Sequence, residues 1–241
     1  MLKLDVLIAG STGYIGIQLV KLLIKHKYIN IKYLRGNSSV GKKISFYDKS
    51  LSKNKLPKIT KFHKKFLGNV DIIFTALPNG EAQEISNKLL KRNTLIDLAA
   101  DFRLDDSSKY LKWYKLKHKS IKNINKSIYA LPEIVGKKVK EYNILGCPGC
   151  YPTSILLPLI PLIKTKMIKS NNIVIDSKSG YSGAGKNYKS KFKFKNFYES
   201  TYAYAVKNHR HIAEIDQELF KISKKIVYTF NPHLIPSFRG I

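Results

Sequence analysis

Cys150 is the residue of this sequence best suited to covalent chemistry, because it comes at the start of a predicted helix, directly after Pro148 and Gly149. A helix N-terminus lowers the pKa of a thiol and raises its thiolate fraction. A thiolate is a strong nucleophile and a fair leaving group, which suits acyl transfer. Cys150 is therefore the candidate nucleophile. A buried and inert cysteine is the alternative, and it describes Cys147 better because Cys147 lies away from the helix start.

The CxxC spacing of Cys147 and Cys150 leaves two other interpretations open. One is half of a zinc site, but the sequence has two cysteines in all and no histidine close to them. The other is a redox pair of the thioredoxin type, but the surrounding pattern is missing. No metal-ligand set is predicted.

Two imidazoles and one guanidinium could assist a thiol. His209 and His211 flank Arg210, and on an extended segment two residues that are two apart point to the same side. An imidazole near a thiol can act as acid or base. Arg103 could hold a phosphate through charge-assisted hydrogen bonds. The alternative for Arg103 is a structural ion pair with one of the neighbouring aspartates, at positions 101, 105 and 106.

A glycine loop follows the first predicted strand, residues 4–9, and leads into an apolar-faced helix. This order of elements places a pyrophosphate on the N-terminus of the helix, where backbone N–H groups are available. The spacing is GxxGxxG rather than GxGxxG, so a cluster of glycines that serves helix packing is the alternative. The candidate cofactor-binding residues of the loop are Gly10, Ser11, Thr12, Gly13, Tyr14, Ile15 and Gly16.

The end of the second predicted strand bears on the choice of dinucleotide. Sites that prefer NAD place an acidic residue there, whereas this stretch has no acid and contains Arg35, Ser38 and Ser39. An arginine with two hydroxyls can hold a 2′-phosphate, so the sequence predicts NADPH as the cofactor. A solvated loop arginine is the alternative for Arg35.

Strand and helix patterns alternate through the first half of the chain, which predicts a Rossmann-type, doubly wound parallel sheet of the α/β class. We expect residues 1–147 to form a dinucleotide-binding domain and residues 148–241 to form a catalytic, substrate-binding domain. The predicted strands are at 4–9, 31–35, 71–77, 94–98, 173–177 and 226–230, and the predicted helices near 81–92, 153–163 and 212–224. Segment 187–200, rich in lysine and aromatic residues, is predicted to be exposed.

The composition restricts the classes of partner. The formal net charge is +28, but 39 of the 44 basic residues are lysines spread along the chain, so specific nucleic-acid binding is not expected. No apolar run is long enough to span a bilayer. The N-terminus lacks the layout of a signal peptide, so we expect a cytoplasmic protein without membrane contact.

Taken together, these segments resemble the N-acetyl-gamma-glutamyl-phosphate reductase family, and aspartate-semialdehyde dehydrogenases are more distantly similar. The combination of PGCYPT, SGxSGAG and HRHxxEI is highly specific. The matching motifs occur in order as GSTGYIG (10–16), ALPNG (76–80), IDLAADFRL (96–104), YALPE (129–133), PGCYPTS (148–154), SGYSGAGK (179–186), HRHIAEI (209–215) and NPHLIPSFRGI (231–241).

The resemblance implies an NADPH-dependent reduction of an acyl phosphate to an aldehyde through a thioester on Cys150. It implies His211, with His209 near it, as the acid or base, and a homo-oligomer, either a dimer or a tetramer. The residues implied to contact the substrate are Arg103, Tyr151, His209 and Arg210, and those implied to lie near the cofactor include Pro78, Ser182 and Gly183.

The sequence departs from the family pattern in places. Asn79 stands where His is usual, Ala130 where Gly is usual, Lys186 where Arg is usual and Ala213 where Pro is usual. The family also continues beyond the segment that ends this chain, so we expect the second, α+β domain to be shortened at its C-terminus. Two other functions stay open: the same chemistry on another acyl phosphate, and a non-catalytic remnant that binds nucleotide or nucleic acid.

Overall fold

The computed structural model describes residues 3–185 and 199–241, and the chain divides into two units, Met1–Cys147 and Pro148–Ile241. The division falls where the sequence predicts a domain boundary. The assignment of the first unit to dinucleotide binding and of the second to catalysis stays a prediction at this stage.

In unit 1 the described strands form one parallel sheet in the order β3-β2-β1-β4-β5-β7-β6. The strand order runs outward from β1 in both directions, through β2 and β3 on one side and through β4 and β5 on the other. This is the doubly wound arrangement that the sequence predicts. The strands are β1 (Leu4–Ala9), β2 (Ile29–Arg35), β3 (Ile59–Thr60), β4 (Ile72–Thr75), β5 (Thr94–Asp97), β6 (Ser127–Tyr129) and β7 (Ile144–Gly146).

Strand β1 forms because its apolar run can be buried on both faces of a parallel sheet. Val6 and Ile8 belong to one hydrophobic cluster, whereas Leu7 and Ala9, which point to the opposite face, belong to another. All four side chains are inaccessible to solvent. The strand is thereby held at the centre of the sheet, and its C-terminal end is fixed at Gly10.

Five described helices accompany this sheet, and one of them is shorter than predicted. They are α1 (Tyr14–Leu23), α2 (Glu81–Ser86), α3 (Ser107–Tyr114), α4 (Ile121–Ile124) and α5 (Pro132–Val135). The helix predicted near 81–92 begins at Glu81 as expected but ends at Ser86, because buried Asn93 holds the segment after α2 in turns. Its side-chain amide donates to the carbonyls of Leu67 and Val70, and its oxygen accepts from Leu90 N.

In unit 2 a three-stranded described sheet is combined with two described helices, which is an α+β arrangement. Strand β10 (Tyr228–Leu234) lies in the middle, parallel to β8 (Ile173–Ser179) and antiparallel to β9 (Tyr202–Ala203). The helices α6 (Cys150–Lys164) and α7 (Ile212–Phe220) pack against each other.

Two boundaries in unit 2 differ from the predictions. Helix α7 ends at Phe220 rather than near 224. Strand β10 lies later than the predicted 226–230 and continues through Pro232, whose carbonyl accepts a bond from Tyr204 N. The predicted exposed segment 187–200 falls outside the described residues except for its last two positions.

Candidate active site

Gly10 and Gly16 allow the glycine loop to pack tightly at the end of β1. Gly10 has φ +82°, and a Cβ there would lie 2.1 Å from the carbonyl oxygen of Ala76. A Cβ on Gly16 would lie 2.1 Å from the carbonyl oxygen of Gly10. Packing within the protein therefore accounts for both glycines, which agrees with the packing alternative for these two positions.

Gly13 is different, because packing does not require it. It is the N-cap residue of α1 with an ordinary extended backbone, and among the described residues a Cβ there would meet Gly10 O alone, at 3.5 Å. The missing side chain leaves the N-terminus of α1 open to close approach. The first-turn N–H groups of a helix have no intrahelical acceptor. Ile15, in that turn, is 55% exposed. This geometry fits the diphosphate of a dinucleotide.

The loop is fastened to β2 through one backbone carbonyl. The oxygen of Arg35 accepts from Gly10 N at 3.1 Å, from Ser11 N at 3.3 Å and from Ser11 Oγ at 3.2 Å. Ser11 is fully buried, so its hydroxyl holds the loop in place. Thr12 and Gly13 connect this fastened end to Tyr14, the first residue of α1.

The side chain of Arg35 is paired with an acid that the sequence did not predict. Its Nη1 lies 3.0 Å from Oε2 of Glu81, the first residue of α2. Nearby in the chain, Ser38 is exposed, whereas Ser39 is buried and its Oγ is 2.6 Å from the hydroxyl of Tyr47. Arg35 thus ends β2 with its side chain mostly buried, Ser38 lies exposed three residues further on, and Ser39 has a partner within the fold.

The loop after β4 is held by Asp101. One carboxylate accepts the backbone N–H groups of Gly80, Ala82 and Gln83 at distances from 2.7 to 3.3 Å. Pro78, in the same loop, is exposed. The loop lies beside the glycine loop, because Gly10 packs on Ala76. The predicted cofactor residues of β1 and β4 thus share one edge of the sheet.

Arg103 and Cys147 are tied together at the end of β7. Arg103 is 9% exposed, and it donates from Nε to Cys147 O at 2.8 Å and from Nη2 to Leu98 O at 3.2 Å. Burial raises the pKa of the Cys147 thiol to about 11, so this thiol stays protonated at neutral pH. Cys147 therefore fits the alternative of a buried and inert cysteine. A contact of Arg103 with the substrate stays a prediction.

Cys150 is exposed and is the first residue of α6, with Gly149 as the N-cap. The helix therefore begins a few residues earlier than the predicted 153, and the thiol belongs to its first turn. That position gives Cys150 the setting expected of a nucleophile: access from solvent and the positive end of a 15-residue helix.

His211 and Glu214 surround the residue that precedes Cys150. Carbon and nitrogen atoms of the His211 ring would lie 2.6 to 2.9 Å from a Cβ on Gly149. Glu214, fully buried, accepts from Gly149 N at 2.8 Å, and its other oxygen lies 3.9 Å from His211 Nε2. Glu214 is not among the site residues that the sequence predicts. The available signal was its place three residues after His211, at the start of a helix.

His209 and His211 do come together, but not on an extended segment as predicted. Ile212 N donates to His209 O at 2.9 Å, which closes a turn that leads into α7, and His211 is the N-cap residue of α7 with helical φ and ψ. His211 N donates to His209 Nδ1 at 3.2 Å, and the ring centroids are 4.7 Å apart. Burial, followed by the charge of Arg210, lowers the pKa of His209 to about 4. His209 is therefore neutral at neutral pH, and the role of acid or base for His211 stays a prediction.

The remaining predicted residues of unit 2 lie in different surroundings. Tyr151 is 1% exposed, packs edge-on against His209 and donates its hydroxyl to His233 O. Arg210 is exposed. Ser182 and Gly183 belong to a short 3-10 helix, Tyr181–Ala184, and Ser182 N donates to the carbonyl of residue 238. Of these residues, the structure groups Tyr151 with the two histidines.

The described residues contain no group of three or more His, Cys, Asp or Glu side chains that could hold a metal ion. In the same ranges, 3–185 and 199–241, none of the helices has the length and apolar character needed to cross a bilayer.

Two family models match this chain and define its class. Residues 5–142 match the NAD binding domain of semialdehyde dehydrogenase, and residues 150–241 match the semialdehyde dehydrogenase dimerisation domain. Solved structures agree on the fold. Aspartate semialdehyde dehydrogenase II from Vibrio cholerae superposes with a TM-score of 0.68 at 16% identity, covering 98% of this chain and 71% of that one. The Candida albicans enzyme, solved with NADP, gives 0.64 at 15% identity, covering 98% and 68%.

Curated relatives narrow the class. An N-acetyl-gamma-glutamyl-phosphate reductase from Thermoanaerobacter pseudethanolicus is 44% identical over 97% of this chain and 68% of its own length. The protein of that name from Ehrlichia canis is 40% identical over 99% of this chain and 70% of its own length. The chain belongs to the N-acetyl-gamma-glutamyl-phosphate reductase family, and it spans about 70% of the length of these relatives.

Proposed function

We propose that this chain reduces N-acetyl-gamma-glutamyl phosphate to the corresponding semialdehyde, with release of phosphate, through a thioester on Cys150. The proposal depends above all on one observation: an exposed Cys150 opens α6 while His211 and Glu214 both contact the residue before it. Two relatives that are named for this activity are 40% and 44% identical to the chain.

The chemistry of the thiol follows from its surroundings. In this mechanism His211 accepts the thiol proton, and the buried carboxylate of Glu214, 3.9 Å from its Nε2, stabilises the imidazolium that results. Sγ of Cys150 attacks the acyl carbon, the C–O bond to phosphate breaks, and phosphate leaves with the bonding electrons. First-turn N–H groups of α6 are suited to stabilise the oxyanion of this step.

A nicotinamide dinucleotide, when bound, supplies the hydride that reduces the thioester carbon. The hemithioacetal oxyanion left on Cys150 then collapses, the C–S bond breaks, and the thiolate leaves as the aldehyde forms. A protonated His211 returns its proton to the thiolate, which restores the starting state. The thiol proton is thus cycled and not consumed; the net reaction uses the acyl phosphate, the hydride and one proton from solvent, which the departing phosphate takes up.

The glycine loop is the part of the chain that would hold the dinucleotide. Support comes from the open N-terminus of α1 at Gly13 and from the match of residues 5–142 to an NAD binding domain. We propose NADPH as the preferred form, since Arg35 and Ser38 lie at the end of β2. Contacts of Pro78, Ser182 and Gly183 with the cofactor, and of Arg103 and Arg210 with the substrate, are part of the same proposal.

The match of residues 150–241 to a dimerisation domain supports a homo-oligomer, and we propose a dimer or tetramer. A cytoplasmic location stays a prediction from the sequence.

The reverse reaction tests the proposal directly. The full chain is given N-acetyl-glutamate semialdehyde, phosphate and NADP+, and NADPH formation is followed by absorbance at saturating substrate. We expect turnover that Cys150→Ala abolishes and that the matched Cys147→Ala variant retains. A folded protein that is inactive with this substrate but active with aspartate semialdehyde would assign the same chemistry to another acyl group. Equal activity of Cys150→Ala and the unchanged chain would contradict the covalent mechanism.

A further inference from the structure

The pair formed by Arg35 and Glu81 sits where the nature of the dinucleotide is decided. Arg35 ends β2, and its carbonyl holds the start of the glycine loop. Glu81 comes from a different element, α2, and is 46 positions away in sequence. The acid that the β2 sequence lacks is thus delivered to the end of β2 by the fold.

The carboxylate of Glu81 pairs with Arg35 and not with the backbone N–H groups of its own helix. The N–H groups at the start of α2 are taken by Asp101, through Gly80, Ala82 and Gln83. The carboxylate of Glu81 instead lies 3.0 Å from Arg35 Nη1. The side chains are 13% exposed for Arg35 and 34% exposed for Glu81, so solvent and salt screen this pair less than a fully exposed one.

The pair leaves the guanidinium incompletely satisfied. Nε of Arg35 is buried and has no hydrogen-bond partner among the described residues. An arginine fork matches a phosphate through two parallel hydrogen bonds, whereas Glu81 accepts a hydrogen bond from Nη1. A phosphate group is thus a competitor that the Arg35 guanidinium can accommodate in place of the carboxylate.

We propose that Glu81 is a specificity-determining residue that limits the preference of this chain for NADP(H) over NAD(H). The inference rests on the proposed dinucleotide site. A 2′-phosphate brings negative charge to Arg35 and must displace or repel the Glu81 carboxylate. A dinucleotide without that phosphate presents ribose hydroxyls, which carry no charge and do not compete for the guanidinium. Glu81 therefore weakens binding of the phosphorylated form selectively.

The test is binding rather than turnover. Calorimetric titration of the full chain with NADP+ and with NAD+, at fixed ionic strength, is compared with the same titrations of Glu81→Gln. Removing the charge is expected to tighten NADP+ binding by about threefold to tenfold and to change NAD+ binding by less than about twofold. The increase in NADP+ affinity caused by Glu81→Gln should become smaller as salt is added.

A matched control lies on the same helix. Glu84→Gln removes the same charge from α2, but Glu84 is 60% exposed and faces Lys119 at 3.9 Å. It should leave both dissociation constants within about twofold. When Arg35→Gln is already present, adding Glu81→Gln should no longer change the dissociation constant for NADP+, because the guanidinium that Glu81 pairs with is gone.

The outcomes separate the two proposals. If the unchanged chain binds neither dinucleotide, the proposed cofactor site is wrong and the inference falls with it. If it binds NADP+ but Glu81→Gln binds both dinucleotides as before, or binds NADP+ more weakly, the site stands and the role of Glu81 is overturned. Weaker binding would show instead that Glu81 positions Arg35. Thermal melting of each variant identifies any loss of fold.

Discussion

The imidazole of His211 occupies the space that a side chain on Gly149 would need. A Cβ there would come within 2.6 Å of Nε2, a distance that requires the ring to move. Gly149 has an ordinary extended backbone, with φ at −67° and ψ at 163°, so any residue could adopt its backbone conformation. The need for glycine at this position is therefore a need for contact between the His211 ring and the peptide before Cys150.

Gly149→Ala should consequently lower activity without a large loss of stability. The methyl group pushes His211 away from the start of α6, and a displacement of about 1 Å in a catalytic group can cost on the order of 100-fold in rate. Steady-state kinetics of the reverse reaction and thermal melting measure the two effects. Gly68→Ala is the control, because a Cβ there meets nothing within 4 Å among the described residues. Equal rates for Gly149→Ala and Gly68→Ala would contradict the proposal that the position of the His211 ring matters for activity.

Glu214 offers a second test, because it contacts both His211 and the N-cap of α6. In Glu214→Ala the N–H of Gly149 loses its buried acceptor, which should lower the free energy of unfolding by about 1–3 kcal/mol. In Glu214→Gln an oxygen remains for that bond but the charge beside the imidazole is gone, so we expect near-normal stability and a reduced rate. Chemical denaturation and kinetics check these expectations.

Glu218→Gln serves as the control for Glu214. It lies one turn further along α7, where its side chain is 11% exposed and pairs with Lys221 at 2.6 Å. If it slows the reaction as much as Glu214→Gln does, the effect belongs to the helix charge in general and not to the contact with His211.

The pH dependence of stability should carry a contribution from Asp97. Burial, then the neighbouring Asp101, raises the pKa of this fully buried carboxyl to about 6, above its ordinary 3.8. The folded state therefore holds the proton more tightly than the unfolded state. The resulting stabilisation is present below about pH 4 and is lost as the pH rises to about 6, by on the order of 3 kcal/mol.

Urea denaturation of the full chain at a series of pH values measures this contribution. Asp97→Asn should reduce the decline in stability between about pH 4 and 6 relative to the unchanged chain, whatever its effect on absolute stability. Asp48→Asn is a control of opposite sign, because a hydrogen bond from Lys21 lowers the pKa of Asp48 to about 2. An identical slope in Asp97→Asn and the unchanged chain would contradict the assignment.

Substitutions at two glycines of the glycine loop should have different effects, one on stability and the other on dinucleotide binding. Gly10→Ala should destabilise unit 1 severely, since its φ is +82° and the added Cβ would lie 2.1 Å from Ala76 O. Gly13→Ala should fold normally but bind NADP+ at least about tenfold more weakly, because the methyl group stands where the backbone must approach the diphosphate. Melting temperatures and calorimetric titration provide the measurements. Normal NADP+ affinity in Gly13→Ala would place the dinucleotide elsewhere.

Local patterns in the sequence were sufficient to predict some of these features. The strand β1, the glycine loop and α1 follow one another directly, so hydrophobic periodicity and glycine spacing identify the unit. Cys150 is recognisable in the same way, since Gly149 and the helix start are its neighbours in the chain. In each case the information lies within a few residues.

The features that the sequence did not predict depend on pairing over long distances. Glu81 reaches Arg35 across 46 positions, and Glu214 reaches Gly149 across 65. The overlong prediction for α2 has the same origin, because Asn93 is held by carbonyls from an earlier segment. Periodicity within one helix carries no information about a hydrogen bond from elsewhere in the fold.

The unequal demands on Gly10, Gly13 and Gly16 have a consequence for evolution. A descendant that gave up its ligand would still need Gly10 and Gly16, because its own backbone fills the space beside them. Gly13 would be released from selection and free to drift. Across related genes, the middle glycine therefore reports whether binding has been kept, while the outer two report only that the protein still folds.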